Sequence, residues 1–202
     1  GIDDHSTDAN ASLSKHGLTC DDITDVIITH LHFDHVGGST IIREKKPVPA
    51  FPNAKYYIQK VQFEAAINPG PGEASSFTRD DFVPLEESGV LKVLDGPCEL
   101  FSGIEILITN GHTKGQQHPL VMGKEASLFF CADLIPTSAH IPVAWHMAYD
   151  NYPLTIMKEK EEYLSRAIKE NWLLFFEHDP VTVAAIVKQD KKSIVINKTF
   201  IL

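Results

Sequence analysis

Cysteine and positive charge are scarce in this sequence, and no apolar run is long. The three cysteines, Cys20, Cys98 and Cys131, are an odd number without the close spacing of a thiolate metal site. That excludes a disulfide framework and a zinc-finger array. The thiols are expected to be reduced, with Cys131 inside a core strand. Lys and Arg number 18 against 27 Asp and Glu, a formal net charge of −9. A general nucleic-acid surface needs clustered cations, so no nucleic acid is expected as a partner. The one basic cluster near a terminus, residues 188–192, reads as the solvated turn of a hairpin around Lys191-Lys192. No apolar run approaches the ~20 residues that span a bilayer, so no membrane is expected either. No signal peptide is visible, and the expected compartment is the cytoplasm. Repeats and low-complexity segments are absent. With 43% hydrophobic residues the chain supplies one sizeable core, so a single domain over residues 1–202 is expected.

What is present is concentrated. The stretch Thr29-His30-Leu31-His32-Phe33-Asp34-His35-Val36-Gly37-Gly38 places four potential metal ligands within six residues. The run ahead of it, Asp25-Val26-Ile27-Ile28-Thr29, is short, apolar and β-branched, and reads as a buried strand. The ligands therefore stand where a strand stops and a loop begins. Three imidazoles and a carboxylate packed so tightly outnumber their local partners, and burying them without a metal is costly. Three later apolar runs also deliver His or Asp at their carboxyl ends. Residues 104–108 are followed by Asn110-Gly111-His112-Thr113-Lys114-Gly115, residues 127–132 by Asp133, and residues 172–176 by Glu177-His178-Asp179. In layered α/β folds ligands collect on that side of a sheet, where loops converge.

The set His30, His32, Asp34, His35, His112, Asp133 and His178 resembles the metallo-β-lactamase superfamily. The matching pieces are HxHxDH at 30–35, GHTxG at 111–115, the strand-terminal Asp133 and the late His178. The resemblance implies an α/β (α+β) fold, the four-layer αββα sandwich, with two mixed sheets face to face and a two-metal site at one edge. It implies that His30, His32 and His112 hold one metal, that Asp34, His35 and His178 hold the second, and that Asp133 bridges them with a water or hydroxide. All donors are imidazole nitrogen or carboxylate oxygen, which suits zinc and also manganese, iron or cobalt. Two cations about 3.5–4 Å apart lower the pKa of a shared water and polarise a carbonyl or phosphoryl oxygen. The implied chemistry is hydrolysis by a metal-bridging hydroxide, without a covalent nucleophile. Asp34 is the candidate catalytic residue, orienting the hydroxide and carrying a proton to the leaving oxygen.

Within that resemblance, antibiotic hydrolysis fits poorly, since class B1 lactamases place Cys where Asp133 stands. Glyoxalase II adds a helical extension, the flavodiiron pattern has Glu where His32 stands, and the processing nucleases add domains or an RNA-gripping arm. Residues 132–150 are similar to the branch of N-acyl homoserine lactonases and methyl parathion hydrolases. There Tyr149, Trp145 and His140 are candidate substrate-binding residues, while His5, His16 and His118 are expected outside the site. Lactone hydrolysis is the expected activity on a small-molecule substrate. Phosphotriester or aryl ester hydrolysis is the alternative, and a non-hydrolytic metal-binding, redox or sensing protein is the alternative of another class. The oligomeric state stays open, a homodimer included.

Along the chain, residues 10–16 read as a short helix stopped by Gly17, and Thr19-Cys20-Asp21-Asp22 as a capped turn. Residues 36–44 are expected as a helix running off the metal loop, 47–52 as a linker, 55–58 as a strand, and 61–67 as a helix ended by Asn68-Pro69-Gly70-Pro71-Gly72. A run of strands is expected from 90 to 132, with a hairpin turn at 123–125. Residues 153–171 form the clearest helix, with Ile156, Met157, Tyr163, Leu164, Ala167 and Ile168 on one apolar stripe. Residues 183–188 and 193–197 pair as a hairpin. Ahead of His30, the superfamily pattern has two or more strands ending in an Asp-x-Gly segment. Gly1-Ile2-Asp3 resembles the end of such a strand, so the fold as given is expected to lack its N-terminal strands.

Overall fold

The computed structural model describes residues 9–200; Gly1-Ile2-Asp3 and His5 lie outside them. The chain divides into two compact units at Asp95/Gly96, and each has an apolar core of its own. Both are mixtures of helix and strand.

The first unit opens with α1 (Ala9–Ser14), followed by Gly17 at a φ of 72°. Its capped turn forms as expected: the N–H and Oγ1 of Thr19 both donate to Asp22 Oδ2, at 2.8 and 2.7 Å. A parallel sheet then forms from β1 (Asp25–Ile27), β4 (Lys55–Gln59) and β5 (Leu91–Leu94), in the order β1-β4-β5. β1 is half-buried rather than buried, because it is an edge strand of this sheet; full burial begins at Ile28. The core gathers Leu31, Val36, Tyr56, Ile58, Phe82 and Leu85. α3 (Lys60–Ile67) follows β4 directly, and α4 (Val83–Glu87) precedes β5.

The helix expected over 36–44 does not form. α2 (Phe33–Val36) is a single turn, and β2 (Thr40–Arg43) pairs with β3 (Lys46–Pro49) as a hairpin, so residues 47–52 are not a plain linker. Gly37-Gly38 removes helix propensity and Thr40-Ile41-Ile42 favours the strand. Glu44 and Lys45, both at positive φ, make the tight turn whose twist suits a hairpin. Pro47 and Pro49 are tolerated because a two-stranded ribbon has an outward edge that needs no N–H.

The second unit is built on a seven-stranded sheet, ordered β12-β11-β10-β9-β8-β7-β6. In chain order these are β6 (Cys98–Phe101), β7 (Ile104–Thr109), β8 (Gln116–Val121), β9 (Ser127–Phe130), β10 (Trp172–Phe175), β11 (Ala184–Asp190) and β12 (Ser193–Phe200). Neighbours are antiparallel except β9 and β10, which are parallel and joined through α5 (Pro153–Glu170). β7, β9 and β10 therefore run in one direction, and their carboxyl ends share one edge. α5 packs on β10 and β11. Ile156, Tyr163, Leu164 and Ala167 are buried as the stripe predicts, Met157 and Ile168 half-buried, and Lys160 is buried on the same stripe. Tyr163, Phe129 and Trp172 stack in series, with centroids 5.6 and 5.2 Å apart. Cys131 is buried but lies one residue beyond β9, not inside a strand. His118 is buried in β8, away from the loops, and His16 is exposed.

Candidate metal centre

In the first unit the ligand-rich loop leaves β1 through Ile28, whose N–H still donates to Tyr57 O. Leu31 is fully buried, and its N–H donates to Gln62 Oε1 on α3. That anchor turns the flanking His30 and His32 to one side. Their ring centroids are 4.5 Å apart, and His30 and His35 are 4.0 Å apart. Ligand atoms of His30 and His32 fall within 4.8 Å of each other. His30 and His32 are buried, and Thr29 Oγ1 stands 3.1 Å from His30 Nδ1. His32 is the N-cap of α2, and its carbonyl accepts from His35 N and Val36 N, which puts Asp34 and His35 on the helical turn. Asp34 Oδ2 lies 3.6 Å from His35 Nε2. One carboxylate here was not foreseen: Glu73 Oε1 is 3.3 Å from His32 Nε2. It follows the Pro-Gly loop, where only a fold places it.

In the second unit His112, Asp133 and His178 leave the ends of β7, β9 and β10, and the structure brings all three together. Asp133 Oδ2 lies 3.0 Å from His112 Nε2, and its Oδ1 3.3 Å from His178 Nε2. His112 is fully buried and Asp133 nearly so. The other nitrogen of His112, Nδ1, is 2.8 Å from Asp150 Oδ1. Burial opposes a charge on this imidazole, but the hydrogen bonds to Asp133 and Asp150 outweigh it and push its pKa up to about 9. Asp133 itself is fixed by its backbone. With its amide oxygen turned towards them, Gln116 accepts from Asp133 N at 2.8 Å and Leu134 N at 3.2 Å. Glu177, another residue the sequence did not single out, offers an oxygen within 4.8 Å of ligand atoms of Asp133 and His178.

The loop carrying His112 is held by α5. Glu159 accepts from Asn110 N at 2.7 Å and from Gly111 N at 3.0 Å. Gly111 is needed for this approach, since a Cβ there would meet the backbone N and Cγ1 of Ile156 at 2.5 Å. Beyond His178, Asp179 ties the turn at 138–140 to the end of β10. Its Oδ2 accepts from Ser138 N and Oγ, and its Oδ1 from Val181 N and Thr182 N. Burial raises its pKa, but those hydrogen bonds prevail and hold it down at about 2.

A cavity of about 420 Å³ opens beside His178 in this unit. Pro136, Thr137, His140 and the segment from His146 to Tyr149 line it. His140 is steadied by Thr137 Oγ1, 2.8 Å from its Nδ1. Tyr149 stands edge-on to His112 at 6.2 Å. Of the expected substrate residues, His140 and Tyr149 line this cavity. Trp145 does not: its side chain is 61% exposed, while its carbonyl accepts from Lys160 Nζ.

Comparison with known proteins identifies the family. The family model described as the metallo-beta-lactamase superfamily matches residues 4–178. An N-acyl homoserine lactonase of Bacillus thuringiensis is 27% identical over 173 residues, covering 83% of this chain and 60% of the relative. The chain thus spans about 60% of the length of the curated relatives it matches. A crystal structure described as a probable metal-dependent hydrolase from Staphylococcus aureus superposes with a TM-score of 0.84 at 27% identity, covering 96% of this chain and 67% of that one. AidC, a dizinc quorum-quenching lactonase, shares the fold with a TM-score of 0.80 at 22% identity, over 96% of this chain and 70% of its own. The mixed α/β fold class expected from the sequence is the one these structures share.

Proposed function

We infer function from one premise: the chain belongs to the metallo-beta-lactamase superfamily. We propose that it is a metal-dependent hydrolase with two divalent cations, zinc foremost, acting on a lactone such as an N-acyl homoserine lactone. The observation that carries this reading is Asp133, whose two oxygens sit on two different imidazoles, His112 and His178. That is the arrangement a bridging carboxylate needs. The donors also fit the ions: they are imidazole nitrogen and carboxylate oxygen only. Two buried carboxylates, Asp133 and Asp150, face the two ring nitrogens of His112. In this reading His30, His32 and His112 hold one cation, Asp34, His35 and His178 the other, and Asp133 both. When bound, such a pair supplies Lewis acidity and a water of lowered pKa.

The residues of the chain do the rest. Asp34 takes a proton from the attacking water and passes it to the ring oxygen released when the lactone C–O bond breaks. Tyr149, at the cavity beside His112, donates a hydrogen bond to the oxygen of the attacked carbonyl. Pro136, Met147 and Ala148 give the cavity apolar walls that exclude water from an acyl group, and His140 a polar one. The likeness to N-acyl homoserine lactonases supports lactones over phosphotriesters.

The test is elemental analysis of the loaded protein followed by a panel of lactones, aryl esters, phosphotriesters and thioesters. We expect about two metal equivalents, as a two-metal site requires, and the fastest turnover on a lactone. A fully loaded sample with a single equivalent overturns the ligand set. A phosphotriester or aryl ester hydrolysed faster than every lactone overturns the substrate class.

A further inference from the structure

We propose that Asp150 is a positioning residue that fixes His112 for metal ligation and ties that ligand to the wall of the cavity. The proposal rests on the metal reading above. Asp150 is buried at the end of the loop that follows the cavity wall, and its two oxygens do different things. Oδ1 takes His112 Nδ1 at 2.8 Å, and Oδ2 accepts from Met147 N at 2.8 Å. One carboxylate therefore spans a candidate ligand and a residue lining the cavity. His146 Nδ1 lies 3.7 Å from Oδ2, and Lys160 and His140 are the other titratable groups close enough to feel its charge.

The residues after Asp150 reinforce the link. Asn151 donates to His112 O from both its backbone N, at 3.1 Å, and its Nδ2, at 2.8 Å, while Tyr152 N donates to Gly111 O at 2.8 Å. His112 is thus gripped by side chain and backbone from one short segment. α5 holds that segment from behind. Lys160, fully buried, donates from Nζ to Pro142 O at 2.8 Å and Trp145 O at 2.6 Å. The cavity wall at 146–149 is consequently suspended between two fixed points, the ammonium of Lys160 and the carboxylate of Asp150.

The chemical consequence follows from which nitrogen is committed. With Nδ1–H donated to Asp150, Nε2 is the nitrogen presented towards Asp133, 3.0 Å away. A carboxylate on the far nitrogen sets the tautomer, stops the ring rotating and makes Nε2 a stronger donor. Lys160 touches the wall but not the ligand, so the two residues separate the two effects.

The experiment titrates zinc chloride into the metal-stripped chain, with wild type, Asp150→Asn and Lys160→Met compared by chelator competition and circular dichroism. Asp150→Asn should bind zinc about 10–100-fold more weakly, the usual loss when a carboxylate behind a ligating histidine is removed. Lys160→Met should keep wild-type zinc affinity and raise KM for the best substrate. A folded Asp150→Asn with unchanged zinc affinity overturns the proposal. The metal-free wild type gives a second reading that needs no variant to fold. His112 Nδ1–H should appear in ring ¹H–¹⁵N spectra as a downfield, slowly exchanging proton, and its absence also overturns the proposal. Failure of wild type to bind zinc at all would instead sink the metal reading, while the Nδ1–H signal still decides the role of Asp150.

Discussion

Asp34 and His118 show how differently two polar residues of one chain are used. Asp34 lies exposed on the single turn of α2, beside His35. If it moves the proton, Asp34→Asn should cut turnover by about a hundredfold or more, the scale for losing a positioned acid–base group. Metal content must be measured in the same sample, and a fully loaded variant with near-normal turnover would leave Asp34 as a ligand only. His118 stands outside the proposed ligand set. It is buried against Phe129, 2.8 Å from Thr109 Oγ1 and 3.2 Å from Phe130 O, and burial pulls its pKa down from 6.5 to about 4. The unfolded chain then binds a proton between those values that the folded chain does not. Stability is therefore complete above about pH 6.5 and is lost as pH falls towards about 4. Urea midpoints across that window should slope for wild type and flatten for His118→Gln; equal slopes would refute the assignment. At this scale the seven proposed ligands were legible because their spacing is dense and their strand ends recur. Glu73, Asp150 and Glu177 were not, since a lone acidic residue in a loop carries no periodicity, and only folding reveals which imidazole it meets.

At the scale of elements, α5 is where sequence and structure agree best and where one residue still misleads. Its apolar stripe is readable at helical spacing, yet Lys160 falls on that stripe and is buried too. A pattern of hydrophobicity has no means of marking a lysine whose ammonium finds two backbone carbonyls. The opposite failure occurs after the metal loop. Thr40-Ile41-Ile42 and Lys46–Pro49 form a hairpin where a helix and a linker were expected, because a glycine pair and two positive-φ residues outweigh proximity to α2. α5 also makes the sharpest prediction of this scale. Gly111 lies so close to Ile156 that an added methyl cannot fit without moving the helix start or the His112 loop. Gly111→Ala should cost about 1–3 kcal/mol, the range for overpacking a tight contact. Thermal melting should show a fall of several degrees, and a variant melting with wild type would mean that the contact is looser than described.

For the whole molecule, the proposed ligands come from four separated stretches of chain, the loops after β1, β7, β9 and β10. If they hold ions as proposed, residues so distant in sequence can do so only in the folded chain, and the ions then bind the native state and not the unfolded one. Such linkage stabilises by about 2.7 kcal/mol for one site at a free metal concentration a hundred times its Kd. Stripping the protein with a chelator should therefore lower its melting temperature, and restoring zinc should recover it in a concentration-dependent way. The separate cores sharpen this expectation. One gathers around Phe82 and Tyr56 and the other around Phe129 and Trp172, and each is assembled from apolar side chains of its own unit. The metal-free chain should thus keep its far-ultraviolet circular dichroism at low temperature while melting earlier. Identical melting curves with chelator and with saturating zinc would show that these residues do not hold a metal in the native state, and would remove the basis for the hydrolase reading.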